Sequence, residues 1–185
     1  MKRVLVPIAD GFEEIETMTI VDVLRRAGLE VILAGTEAGL LTGSRKVRVM
    51  PDAWLEEVQD EDFDLLVLPG GQPGVDHLRK NAVVLQILQK MSQSKKWIGA
   101  ICAAPLVLRD AGLLAGRHFT SFPAMEQEFQ EGQYEQADVT VDANLVTSRG
   151  PGTAMEFSLK LIELLCGKEK SEQVAGALLA PTAIR

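Results

Sequence analysis

The amino-acid sequence predicts a doubly wound α/β fold, a mostly parallel sheet with helices on both faces. Two observations carry this expectation. Short runs at Arg3–Ile8, Leu29–Ala34, Phe63–Leu68 and Trp97–Ile101 are apolar almost throughout, not alternating, so they read as strands buried on both faces. Between them lie stretches of helical character closed by glycine or proline, and strands that alternate with helices build a parallel sheet.

Each element follows in order. Arg3–Ile8 is left through Asp10-Gly11, the exit loop of a first strand. Ile15, Met18, Val21, Leu24 and Ala27 recur every three residues and predict an apolar helix face, stopped by Gly28. Glu13, Glu14 and Glu16 crowd its first turn, where complementarity to the helix dipole is a sufficient reason for acids. Leu29–Ala34 completes a βαβ unit by Gly35. Leu40–Met50 reads as a hairpin or edge ribbon outside the parallel core, ended by Pro51. Phe63–Leu68 stops abruptly at Pro69-Gly70-Gly71-Gln72-Pro73-Gly74, and Val83–Met91 supplies the next helix. The strand from Trp97 then runs, with no intervening loop, into a helix expected over Ala103–Leu108. His118–Ser121 reads as a short strand and Pro123 as the first residue of a helix. Ala137–Asp142 and Leu145–Ser148 alternate as a hairpin, and helices over Met155–Leu165 and Ser171–Leu179 end the chain. With no repeat, linker or low-complexity stretch, a single domain over residues 1–185 is expected.

Composition narrows the function. Hydrophobic residues make up 46% and charged residues 24%, ordinary values for a globular protein with a substantial core. A formal charge of −7 and a pI near 4.9 provide no concentration of lysine and arginine for tracking phosphates, so nucleic-acid binding is not indicated. Pro7 and Asp10 interrupt the N-terminal apolar run, unlike a signal peptide, and no run is long enough to cross a bilayer. A cytoplasmic location without membrane association is therefore expected, in which Cys102 and Cys166 are thiols. Cys166, ending an apolar helix before Gly167, reads as a packing residue. No His/Cys/Asp cluster has ligand spacing, and no metal or cofactor is expected.

Chemistry is expected where three segments end together, outside the carboxyl ends of the strands. They are the loop after the first strand with Glu16 beyond it, the Gly70-Gly71 turn, and Cys102. A residue at a sharp strand-to-helix turn projects its side chain at the sheet edge, and helix N-terminal amides there favour thiolate. Taken singly, each has a plainer account: a small buried cysteine, an ordinary turn, a first-turn acid. The glycine spacing is neither a dinucleotide fingerprint nor a P-loop.

These residues bring a resemblance into view. Gly11-x-Glu13-Glu14-x-Glu16, Arg26-Ala27-Gly28, Ser44-Arg45, Leu68-Pro69-Gly70-Gly71, Ala100-Ile101-Cys102-Ala103-Ala104-Pro105 and Thr147-Ser148-Arg149-Gly150-Pro151-Gly152-Thr153 occur in one order. Together they make the chain similar to the ThiJ/PfpI superfamily over nearly its whole length, and within it to the branch of Parkinson disease protein 7 and its bacterial YajL-like relatives. The resemblance implies a flavodoxin-like homodimer, with Cys102 as nucleophile and Glu16 as its partner carboxyl. It implies an oxyanion or substrate pocket drawn from Gly70, Gly71, Ala103, Arg45 and Pro151, with Arg45 and Arg26 at the dimer interface. Two departures matter: Phe122 precedes Pro123 where some relatives carry histidine, and Ala103 follows the cysteine where protease-like relatives carry histidine. No motif supports a Cys-His pair, so peptidase activity is not expected. His118 is expected on the far side of the sheet and His77 on a helix face.

Two functions then compete, beside a plainer reading as a small-molecule binding domain whose cysteine is incidental. One is a cofactor-independent enzyme acting on small aldehydes such as methylglyoxal, or on their glycated adducts, by glyoxalase III-like or deglycase chemistry. In it Cys102 adds to the carbonyl, and Glu16, protonated beside the thiolate, moves protons. The other is an oxidative-stress sensor or chaperone acting through oxidation of Cys102.

Overall fold

The computed structural model describes residues 1–180. In chain order its elements are β1 (Arg3–Ile8), α1 (Glu14–Arg26), β2 (Glu30–Gly35), β3 (Leu41–Thr42), β4 (Arg48–Val49), β5 (Ala53–Trp54), α2 (Leu55–Val58), β6 (Leu65–Leu68), α3 (Gly74–Leu78), α4 (Ala82–Gln93), β7 (Trp97–Ile101), α5 (Pro105–Asp110) and β8 (His118–Phe119). A 3-10 stretch, Pro123–Glu128, leads to β9 (Gln133–Tyr134), β10 (Val139–Asp142) and β11 (Leu145–Ser148). A second 3-10 turn, Pro151–Thr153, opens α6 (Ala154–Cys166), followed by α7 (Lys168–Ala177).

The apolar runs form one seven-stranded sheet in the order β10-β11-β7-β6-β1-β2-β5. All neighbours in it are parallel except β10 and β11. Alternate residues of the central strands feed two cores. Val4, Val6 and Ile8 of β1 join Val67 of β6 and the apolar faces of α1, α6 and α7, whereas Leu5 joins Leu66, Leu68 and residues of α2 to α5 on the other side. This is the doubly wound, flavodoxin-like arrangement with helices on both faces. From β1 the chain moves outward to β2 on one side and later returns to β6 on the other. That reversal opens a crevice beyond the carboxyl ends of β1 and β6, the place where such sheets bind ligands.

Several expectations are corrected. Ile15 is 58% and Met18 is 36% exposed, while α1 turns Glu16, Thr17, Ile20, Val23 and Leu24 inward. A three-residue spacing drifts by about 60° per step around a helix, so it cannot hold one face for four steps. Cys166 is exposed and not a packing residue. The Leu40–Met50 ribbon forms as the β3/β4 hairpin, outside the main sheet as expected. β5, α2 and α3 were not expected, being only two to five residues long. Pro123 opens 3-10 turns, and α5 starts at Pro105, leaving a short turn between it and β7.

Candidate active site

Cys102 follows directly on β7 and adopts φ +63°, a left-handed conformation uncommon for a residue with a Cβ. Its peptide groups are tied on both sides. The Cys102 N–H donates to the Ser148 carbonyl at 2.9 Å, and the Phe122 N–H donates to the Cys102 carbonyl at 2.9 Å. These bonds hold the residue in an unfavourable backbone region, a form of strain that concentrates at functional sites.

Glu16 reaches the same point from the first turn of α1. It is 0% exposed, its Oε2 accepts the Gly70 N–H at 2.7 Å, and its Oε1 has no hydrogen-bond partner among the described residues. Its own N–H donates to Glu13 Oε2 at 2.7 Å, which fixes the start of the helix. Gly70 lies between the two chemical groups. A Cβ on it would stand 2.7 Å from the Cys102 Cβ and 2.7 Å from Glu16 Oε2, so only glycine leaves both side chains in place. Gly71, at φ +97°, has no room for a side chain against the backbone of Gly11–Glu13.

Burial raises the Glu16 carboxyl to about 7; the Gly70 N–H opposes this, the Glu13 carboxyl adds to it, and the Cys102 thiol, donating toward it, opposes it. The thiol is pushed up as well, first by burial and then by the charge of Glu16, while the Ala103 N–H pulls it down. The expectation of a thiol lowered by a helix N-terminus is therefore reversed. α5 is only six residues long and begins at Pro105, and its partial charge is outweighed by desolvation and a neighbouring carboxylate. Two anions in one dry pocket repel, so thiol and carboxyl titrate as a coupled pair in which a proton on one favours the anion on the other.

Of the residues expected at the site, Cys102, Glu16, Gly70 and Ala103 come together. Gly71 sits beside them, and its N–H has no hydrogen-bond partner among the described residues. Pro151 opens the 3-10 turn that, with Phe122, lines an adjoining cleft. Arg45 does not join them within the chain: it is exposed on the hairpin loop, and its guanidinium forms no ion pair or hydrogen bond among the described residues. His77 and His118 are both exposed, His77 accepting or donating at the Asp10 carbonyl and His118 paired with Glu135. Among the described residues no three His, Cys, Asp or Glu side chains group as a metal site.

Glu14 does more than complement the helix dipole. The Glu14 carboxylate accepts from the Arg45 N–H at 2.6 Å, the Ser44 hydroxyl at 3.2 Å and the Val47 N–H at 3.3 Å, fastening the hairpin loop to α1. Its signal was the nearby Gly43, whose missing side chain makes room for the Glu14 carboxyl.

Residues 2–164 match the DJ-1/PfpI family. The fold is similar to the crystal structure of Drosophila melanogaster DJ-1beta, at 42% identity and a TM-score of 0.95 over 97% of this chain and 98% of that one. The chain is 38% identical over 176 residues to the Glutathione-independent glyoxalase DJR-1.2 of Caenorhabditis elegans, covering 92% of this chain and 91% of that protein. It is 43% identical over 179 residues to Protein DJ-1 homolog B of Arabidopsis thaliana, spanning 96% of this chain but only 41% of that longer protein. The family match extends from the first strand into α6, taking in the Glu16 turn, the Gly70-Gly71 loop and the Cys102 elbow, and the chain belongs to the DJ-1/PfpI family.

Proposed function

We propose that this protein is a cofactor-independent enzyme that converts 2-oxoaldehydes to 2-hydroxy acids at Cys102, by glyoxalase III-like chemistry that extends to glycated adducts. The observation that carries the reading is the Glu16 carboxyl, sealed from solvent against the cysteine and raised to about 7. A group poised near neutrality both takes and gives protons at little driving-force cost. Sensing oxidation alone requires no such group.

Sγ adds to the aldehyde carbon while its proton passes to the Glu16 carboxylate, giving a hemithioacetal once the carbonyl oxygen is protonated. The Gly71 and Ala103 N–H groups lie beside that oxygen as donors. Glu16, again ionised, removes the proton from the former aldehyde carbon and returns one to the adjacent carbon, while the hydroxyl proton passes to the former ketone oxygen, leaving a thioester of the 2-hydroxy acid. Water cleaves the thioester and restores the thiol. Net, one aldehyde and one water give one hydroxy acid, with no external oxidant.

The reading extends to one domain acting in the cytoplasm as a homodimer. Ile15 and Met18 of α1 and Val47 of the hairpin loop expose apolar surface on neighbouring segments tied together by Glu14, a face suited to a second copy. Arg45, on the same loop, stands at that joint. Phe122 before Pro123 and the ordered motifs favour the YajL-like branch, alongside the eukaryotic relatives named above.

Purified protein given methylglyoxal should yield the hydroxy acid, with Cys102→Ser inactive and Glu16→Gln slowed by about 100-fold or more. Absence of hydroxy acid from the parent protein would overturn the reading. The second reading, a redox sensor, rests on the Ala103 N–H toward sulfur and the unpaired Gly71 N–H, both able to hold a sulfinate. It predicts a gain of two oxygens at Cys102 under mild peroxide and no carbonyl turnover.

A further inference from the structure

Two acids at the start of α1 share a single glycine, and the sharing divides their work. Glu13 is the N-cap and Glu16 the third helical residue. At that spacing a helix start commonly closes on itself: the cap side chain takes the third N–H, and the third side chain reaches back to the cap N–H. Only the first half forms in this chain. Glu13 Oε2 accepts the Glu16 N–H at 2.7 Å, but the Glu13 N–H donates to the Gly70 carbonyl at 2.9 Å. A Cβ at Gly71 would stand 2.4 Å from that same Glu13 nitrogen, so glycine is what lets the loop come close enough to take its proton. With its local donor taken, the Glu16 carboxyl turns instead to the Gly70 N–H at 2.7 Å and to the cysteine.

The two carboxyls sit in unlike surroundings. Glu13 is 9% exposed and caps the positive end of a thirteen-residue helix, which favours an anion. Glu16 is sealed, with Oε1 unpartnered among the described residues, and an unpartnered buried oxygen costs more on a carboxylate than on an acid. The groups that bear on Glu16 are the Gly70 N–H after β6, Glu13 on its own helix and the Cys102 thiol beyond β7, and none is a cation. Burial does most to keep the proton on Glu16, the Gly70 N–H opposes it, and the Glu13 charge adds to burial. Removing a like charge from so dry a place favours ionisation of the acid that remains.

We infer that Glu13 is a positioning residue of the Cys102 site: it fills the cap and carries the negative charge, leaving Glu16 turned to the cysteine as the acid that holds the proton. The use of that proton in turnover rests on the carbonyl reading above, but the division of labour between the two acids does not.

Two comparisons between side chains of matched shape separate charge from capping. One sets the parent against Glu13→Gln, the other Glu13→Asp against Glu13→Asn, since asparagine caps a helix about as well as aspartate. Carbon NMR of protein carrying isotope-labelled glutamate carboxyls follows the Glu16 resonance, identified by its loss in Glu16→Gln, through the neutral pH range. Its midpoint should lie about one pH unit lower in Glu13→Gln than in the parent, and lower by a similar step in the Asn variant than in the Asp variant. The rising limb of kcat/KM for methylglyoxal should move to lower pH with it, because the carboxylate forms earlier. Thermal unfolding reports on the cap, and a Glu13 that is only a cap changes the unfolding temperature without moving the midpoint. Equal midpoints within both comparisons would overturn the inference, and either comparison decides alone where a variant of the other does not fold. Displaced midpoints with no turnover by any form, the parent included, would support the inference and sink the carbonyl reading instead.

Discussion

Glu16 combines an ionisable group, no water and an acidic neighbour, and this has a consequence for stability. Its carboxyl titrates near 7 in the folded chain and near 4.5 when exposed, so between these values the folded state holds a proton that the unfolded state has released. The contribution is fully present below about pH 4.5 and is lost as pH rises through about 7, a change on the order of 3 kcal/mol. Glu16→Gln keeps the acceptor for the Gly70 N–H but does not titrate. Urea midpoints from pH 4 to 8 should show the parent losing stability relative to the Gln variant over this window; a flat difference would mean that the carboxyl is not raised. Turnover should move the other way, with kcat/KM of the parent rising toward pH 7 as the carboxylate forms. That Cys102 and Glu16 meet at one point was legible in the sequence. Their proton affinities were not, because the Gly70 amide and the burial come from segments distant in the chain.

At the scale of the element, the first turn of α1 carries three acids with three separate tasks, where the sequence suggested one shared task with the dipole. Glu13 caps the helix, Glu16 faces the cysteine, and Glu14 anchors the hairpin loop. The Glu14 carboxyl is pushed up by burial, but its own N–H and those of Arg45 and Val47 together hold it below the usual carboxylate range. A depressed carboxyl gives stability that is present above its unfolded value and lost as pH falls through the folded one. Glu14→Gln exchanges an anion accepting three donors for a neutral amide and should cost about 1–3 kcal/mol. Amide exchange of residues 43–47 should quicken selectively in this variant. Unchanged exchange there would show that the loop is held by other bonds, such as Ser44 N–H to the Phe12 carbonyl.

At the scale of the whole molecule, the sheet was legible because its central strands are buried on both faces and therefore read as unbroken apolar runs. The inward face of α1 was not, because Glu16 and Thr17 take positions that a hydrophobic pattern assigns to apolar residues, leaving Ile15 and Met18 outside. An apolar face left outside on a helix whose other side is fully packed invites a partner. If two copies meet there, a charge placed at the centre of the joint is desolvated without a counter-ion on assembly. Ile15→Glu and Met18→Glu should each halve the molar mass measured by light scattering at micromolar concentration. Since Ile15 is 58% exposed in the single chain, the variants should keep the parent's far-ultraviolet circular dichroism. The same variants connect assembly to chemistry. If Arg45 on the hairpin loop stands at such a joint, the dissociated protein should lose methylglyoxal turnover to the extent that Arg45→Ala loses it in the assembled protein. A parent protein that is monomeric, or Glu variants that remain dimeric, would remove this face as the interface and Arg45 from the site.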